Sequence, residues 1–205
     1  MNKCNIAVLV SGGGTNLQAL IDAQKKGVIK SGEIKLVISN KVDAYALTRA
    51  KENGIKSEII MKNSFSSSLE FENKILEILQ DNQIDLVVLA GFMCILSKHF
   101  TDALPGRIIN VHPSLIPSFC GEGYYGIKVH EKALEYGVKV TGATVHFVNE
   151  VPDGGQIIMQ KAVKICDNDT PETLQKRVME QAEWIILPKA TEKISKNILS
   201  YKEQK

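Results

Sequence analysis

Asn110 and His112 stand two positions apart at the end of the apolar run 108–111, directly before Pro113. If that run is a strand, alternation of side chains puts both on one face, so a carboxamide and an imidazole could converge on one small ligand atom. The same two residues would also suit a strand-end asparagine bonding its own turn beside a surface histidine. Asp153-Gly154-Gly155 offers a carboxylate in a loop. Next to an imidazole it would favour the imidazolium, raise the histidine pKa and fix its tautomer; alone, Asp-Gly-Gly is an ordinary turn. A third candidate is Ser11-Gly12-Gly13-Gly14-Thr15-Asn16, between an apolar run and a helical pattern. Free backbone N–H groups and the helix dipole there favour a single phosphate. The spacing is not GxGxxG, and Ser39-Asn40 rather than an acid closes the next strand, which disfavours a dinucleotide site of the NAD type. A tight turn that needs glycine only for its backbone angles accounts for the same residues. His99, His130 and His146 fall on expected helices or a strand without metal-ligand spacing and read as packing or surface residues.

These residues need a scaffold, and hydrophobic periodicity describes one. The run 5–10 (NIAVLV) ends at the glycines, and Leu17, Leu20 and Ile21 then recur at helical spacing. Strand 34–38, helix 43–53 stopped by Gly54, and strand 55–60 follow, giving βαβαβ. A helix over 67–82 has Ser66 to Ser68 as caps, and 86–90 (LVVLA) is an apolar run without alternation, which requires cover on both faces. After Gly106 come strand 108–111, a proline- and glycine-rich stretch to Gly126, a helix near 128–136, and strands 141–148 and 156–163. The last two predict an antiparallel hairpin with a broad turn. Thr170 caps a final helical stretch toward Lys196, which Pro188 should kink or divide. The expected fold is one α/β domain over 1–205: a Rossmann-like, mostly parallel twisted sheet, helices on both faces, and a carboxyl-terminal antiparallel hairpin.

Composition narrows the function classes. With 44% hydrophobic and 23% charged residues the chain matches ordinary globular proteins, and a formal charge of +2 without a basic stripe provides no footprint for nucleic acid. Cys4, Cys94, Cys120 and Cys166 contain no CxxC pair, so neither zinc nor a redox dithiol is expected, and free thiols fit a reducing cytoplasm. No signal peptide and no run of ~18 apolar residues for a membrane span is present.

Taken together, several segments resemble the phosphoribosylglycinamide formyltransferase family, the folate-dependent transformylases of purine synthesis. They are SGGGTNLQALI from Ser11, SNKVDA from Ser39, DLVVLAGFM from Asp85 with Ile95-Leu96-Ser97, NVHPSLIP from Asn110, and TVHFV from Thr144 followed by Asp153-Gly154-Gly155. NVHPSLIP is shared by wider folate formyltransferases, whereas SGGGTNLQALI points to the ribonucleotide as acceptor. The resemblance implies transfer of a formyl group from 10-formyltetrahydrofolate, as co-substrate and without metal, to the amine of glycinamide ribonucleotide. It implies catalytic roles for Asn110, His112 and Asp153, substrate contacts from Gly14, Thr15 and Asn16 at the phosphate, and Glu183 at the ribose or glycinamide end. It also implies a folate site formed largely by backbone at Met93, Cys94, Ile95 and Leu96 and at Val148, Asn149, Glu150, Val151, Pro152 and Asp153. The chain departs from the pattern at Cys94, where many relatives have arginine, at Trp184, where histidine is common, and in the loop 119–126 (FCGEGYYG).

The alternatives are a formyltetrahydrofolate hydrolase, a formylase of initiator methionyl-tRNA or of another amine, and a non-catalytic nucleotide- or folate-binding module. Chain length disfavours the first two, since the hydrolases carry an added amino-terminal domain and the tRNA enzymes a carboxyl-terminal one. Retention of all three catalytic residue types disfavours the last. The expected partners are therefore small molecules, with no nucleic acid or membrane, and the protein is either a monomer or a homodimer.

Overall fold

The apolar run at the amino terminus becomes the middle of a seven-stranded sheet in the computed structural model, which describes residues 3–204. Strand β1 (Cys4–Val10) is followed by α1 (Thr15–Lys25), β2 (Gly32–Ser39), α2 (Tyr45–Glu52), β3 (Lys56–Ile59), a 3₁₀ turn, α3 (Ser68–Asp81) and β4 (Leu86–Leu89). Then come α4 (Lys98–Ala103), β5 (Ile108–His112), α5 (Ile127–Tyr136), β6 (Val140–Phe147), β7 (Ile157–Lys164), α6 (Pro171–Val178), a π-helical segment (Met179–Glu183) and α7 (Trp184–Glu203). The spatial order is β3-β2-β1-β4-β5-β6-β7. The first five strands pair in parallel and β6 and β7 antiparallel.

Both faces are covered, which is why β1 and β4 carry apolar residues without alternation. Ile6, Val8 and Val10 face a core shared with Leu17, Leu20, Ala46, Leu174, Leu187 and Ile194. Ala7 and Leu9 face a second core with Phe71, Ile75, Leu79 and Phe100. Strand order reverses between β1 and β4, and the crevice beyond the carboxyl ends of the strands at such a reversal is where ligands bind in this architecture. The loop 11–14 leaves β1 there, residues 91–97 leave β4, and β5 ends in His112.

The expected fold class is observed, with three local differences. Helix α4 is too short to show a period and is held by Ser97, whose hydroxyl accepts from Phe100 N. The final helix runs past Lys196 to Glu203, and its interruption falls at Met179–Glu183, ahead of Pro188. Pro188 has no N–H for the carbonyl four residues earlier, that of Trp184, so the ladder is disturbed one turn before the proline itself.

The broad turn of the β6–β7 hairpin depends on one close approach. A Cβ on Gly155 would sit 1.7 Å from the Phe147 carbonyl oxygen, whereas one on Gly12 would meet nothing within 4 Å. Gly155→Ala should therefore cost about 2–4 kcal/mol of unfolding free energy and Gly12→Ala within about 0.5. Denaturant titration of the two variants checks this, and equal stabilities would refute the steric argument.

Candidate active site

Strands β5 and β6 pair so that Asn110 lies opposite His146 and His112 opposite Thr144, all four on one face. Asn110 Nδ2 is 3.1 Å from His146 Nε2, and His146 Nδ1 is 2.8 Å from the Phe147 carbonyl. Asp153 reaches this face from the hairpin turn with a left-handed backbone, φ 56, a region that aspartate tolerates better than most residues. Its Oδ2 accepts from Gly121 N at 2.9 Å and lies 3.3 Å from His112 Nδ1, while Oδ1 lies 3.5 Å from His146 Nε2. One carboxylate is thus set between two imidazoles. Thr144 completes the frame: its hydroxyl donates to Ser114 O at 2.7 Å and accepts from Ile116 N, tying down the chain that leads away from His112.

The polar groups here are largely withdrawn from water, with His112 4% and His146 2% exposed. Burial raises the Asp153 pKa, but His146, His112 and the Gly121 N–H together outweigh it and hold the carboxyl below the usual range, so it is ionised at neutral pH. His112 departs from expectation. Burial lowers its pKa and is the largest influence; the Asp153 charge and the Phe119 carbonyl, 2.8 Å from Nε2, oppose it without reversing the direction. Its two ring nitrogens both face acceptors, an arrangement that only the doubly protonated ring satisfies fully. On His146, an Nδ1–H donating to the Phe147 carbonyl leaves Nε2 to accept from Asn110.

At the other end of the crevice, Gly14 takes φ 71 and a Cβ there would lie 2.7 Å from Ala46 Cβ. Asn16 Nδ2 donates to Glu183 Oε2 at 2.7 Å, so these two expected substrate residues meet, while Thr15 points its hydroxyl at Met179 Sδ, 3.8 Å away. Glu183 is 6% exposed, and burial pushes its pKa up to about 7 against the pull of Asn16. The π segment that carries it packs against β6 and β7, beside the hairpin of His146 and Asp153.

Residues 93–96 and 148–153 border the second core, against which Phe92, Cys94 and Val148 each pack. Met93, Ile95 and Val151 are 55, 67 and 55% exposed, leaving an apolar rim. Leu96 differs from its neighbours: at 4% exposure its side chain belongs to that core, so only its backbone can face a ligand. Met93 N is taken by Ser11 Oγ at 2.7 Å and Val148 N by Ile108 O at 3.0 Å. In the hairpin turn Asn149 Oδ1 accepts from Val151 N, and Glu150, Val151 and Pro152 are exposed. Among the described residues no group of three His, Cys, Asp or Glu side chains is placed to hold a metal ion.

Residues 4–191 match the model of the formyl transferase family. The chain belongs to that family. Among formyl transferase relatives, the phosphoribosylglycinamide formyltransferase of Haemophilus influenzae is 46% identical over 183 residues, 89% of this chain and 83% of the relative. The human trifunctional purine biosynthetic protein adenosine-3 is 45% identical over 193 residues, 94% of this chain but 18% of that protein. The crystal structure of glycinamide ribonucleotide transformylase 1 from Symbiobacterium toebii superposes with a TM-score of 0.89 at 40% identity, covering 95% of this chain and 89% of that one. The chain is accordingly a formyl-transferring enzyme with a folate-derived donor, and no helix among the described residues is long and apolar enough to cross a membrane.

Within this candidate site, His146 reads from the sequence as a packing or surface residue, and only the β5–β6 register brings it to Asn110 and Asp153. The signal was its parity with Thr144 on a strand of a hairpin, which becomes informative once the partner strand is known. Glu183 generates a prediction. Its folded pKa lies above its ordinary value of 4.5, so the stability its buried neutral form confers is complete below about pH 4.5 and lost as pH rises through 7. The loss amounts to about 3 kcal/mol. Glu183→Gln cannot ionise, so its stability relative to the unsubstituted protein should rise by that order between pH 4.5 and pH 8. Urea unfolding at both pH values checks it, and a pH-independent difference would exclude a raised pKa.

Proposed function

We propose that the chain transfers the formyl group of 10-formyltetrahydrofolate to the amine of glycinamide ribonucleotide, yielding the N-formyl product and tetrahydrofolate in de novo purine synthesis. The carrying observation is the Asp153 carboxylate 3.3 Å from His112 Nδ1 with Asn110 on the same strand face, in a chain of the formyl transferase family. The folate is a second substrate, consumed in each turnover.

Attack of the acceptor nitrogen on the formyl carbon forms a C–N bond and places negative charge on the former carbonyl oxygen. Asn110 has a second amide hydrogen beyond the one turned to His146, and one such donor aimed at the oxyanion is worth about 3 kcal/mol of barrier. His112 Nε2 is held by Phe119 O, so a direct hydrogen bond to the oxyanion requires that carbonyl to release it, and the Asp153 carboxylate beside Nδ1 favours the charged ring as the oxyanion forms. The ionised Asp153 takes the proton that the attacking nitrogen sheds, directly or through water. The C–N10 bond then breaks, and that proton passes to N10, which closes the balance without a covalent enzyme intermediate. Holding both substrates across one crevice supplies much of the remaining acceleration.

In this reading the acceptor's phosphate lies at Gly14, Thr15 and Asn16, and Glu183 faces its ribose or glycinamide end. The pterin lies between 93–96 and 148–153, against the apolar rim of Met93, Ile95 and Val151 with backbone polar groups at its edge. No metal takes part.

Asp153→Asn should fold normally yet turn over at a small fraction of the normal rate, since the amide can neither accept the proton nor support an imidazolium. Steady-state kinetics measure this, and near-normal kcat would overturn the role. Asn110→Ala should lower kcat by roughly two to three orders of magnitude; an unchanged kcat would make Asn110 structural. Folate deformylation followed with and without glycinamide ribonucleotide tests the reaction itself, because release that ignores the amine belongs to a hydrolase.

A further inference from the structure

Helix α2 takes the carbonyls of the amino-terminal glycine loop. Ala46 N donates to Gly12 O at 3.1 Å, and Arg49 Nε donates to Gly13 O at 2.9 Å. In a trans peptide the C=O of one residue and the N–H of the next point in opposite directions. Drawing these two carbonyls toward α2 therefore turns the N–H groups of Gly13 and Gly14 away from it. Neither N–H has an acceptor among the described residues. Two adjacent free N–H donors turned to one side suit an anionic oxygen.

That orientation is not inherent in the loop. The peptide between Gly13 and Gly14 has a glycine on each side and rotates at little steric cost, and nothing lies within 4 Å of a Cβ at Gly13 to hold it by packing. Close packing of Ala46 on Gly14 sets how near α2 comes, but rotation of the peptide is governed by the bond to Arg49. The guanidinium is itself restrained. Its NH1 group donates to Gln18 Oε1 at 3.0 Å, and its Cζ lies 5.0 Å from the centroid of the Tyr45 ring.

We infer that Arg49 is a positioning residue for the acceptor substrate, orienting through the Gly13 carbonyl the backbone N–H groups that receive its phosphate monoester. The inference rests on the proposed reading of this loop as the phosphate site. A rotated peptide would turn its carbonyl oxygen toward the phosphate, so the loss falls on acceptor binding and leaves the chemistry at Asp153 unaffected.

The test uses the full chain with Arg49→Met and Arg49→Lys. The methionine variant should raise KM for glycinamide ribonucleotide about ten- to hundredfold, while kcat at saturation and KM for the folate stay within about twofold. Lysine can still donate to Gly13 O and should recover part of the loss. In parallel, inorganic phosphate is titrated into isotope-labelled protein while the Gly13 and Gly14 amide resonances are followed. They should shift in the unsubstituted protein and need about tenfold more phosphate in Arg49→Met. An unchanged KM, a parallel fall in kcat, or a lysine variant as impaired as methionine overturns the inference. Amides that respond equally in both proteins overturn it while sparing the phosphate reading; amides that ignore phosphate in the unsubstituted protein remove that reading, and the inference with it.

Discussion

An ionised carboxylate withdrawn from water is costly to the folded state unless other groups replace its hydration, and Asp153 illustrates how that replacement organises a site. The Gly121 N–H, His112 and His146 each face one of its oxygens. These partners come from three places: the loop after β5, the end of β5, and β6. The carboxylate therefore pins together segments remote in the chain, and its own turn adopts a left-handed backbone to bring it there. The contacts that replace its hydration also fix it beside His112 and Asn110.

The sheet prepares the place where this happens. Covering both faces of β1 and β4 with helices leaves the carboxyl edge as the open side at the reversal of strand order, and the glycine loop after β1, residues 91–97 after β4 and the end of β5 all lie along it. The antiparallel β6 and β7 then extend the sheet past β5 and place a second strand's side chains opposite Asn110 and His112. A purely parallel continuation would need a long crossover there and would leave no hairpin turn to carry Asp153.

Much of this was legible from residue order. The apolar runs and glycine punctuation located the parallel strands and the hairpin, because burial on two faces leaves a strong pattern. Shared parity placed Asn110 and His112 on one face, and a motif-level resemblance brought in Asp153 and Glu183. What stayed hidden depends on register and on desolvation. His146 looks like a core residue until it is paired with Asn110, and Leu96 looks like a pocket residue until its side chain is seen in the core behind the rim. The direction of the His112 pKa reverses from expectation because burial, a property of the whole fold, outweighs a neighbouring charge.

The wide turn at Met179–Glu183 is geometrically an α-helix that has absorbed one surplus residue. Wound instead as a regular α-helix, the same residues would turn everything on one side by about 100° relative to the other. Leu174 and Val178 before it and Leu187 and Ile194 after it all pack into the same core, so the two apolar stripes stay in phase because the wider turn takes up the surplus. The segment therefore works as a phase adjuster between two helices, letting the chain carry one more residue here without turning either stripe off the core.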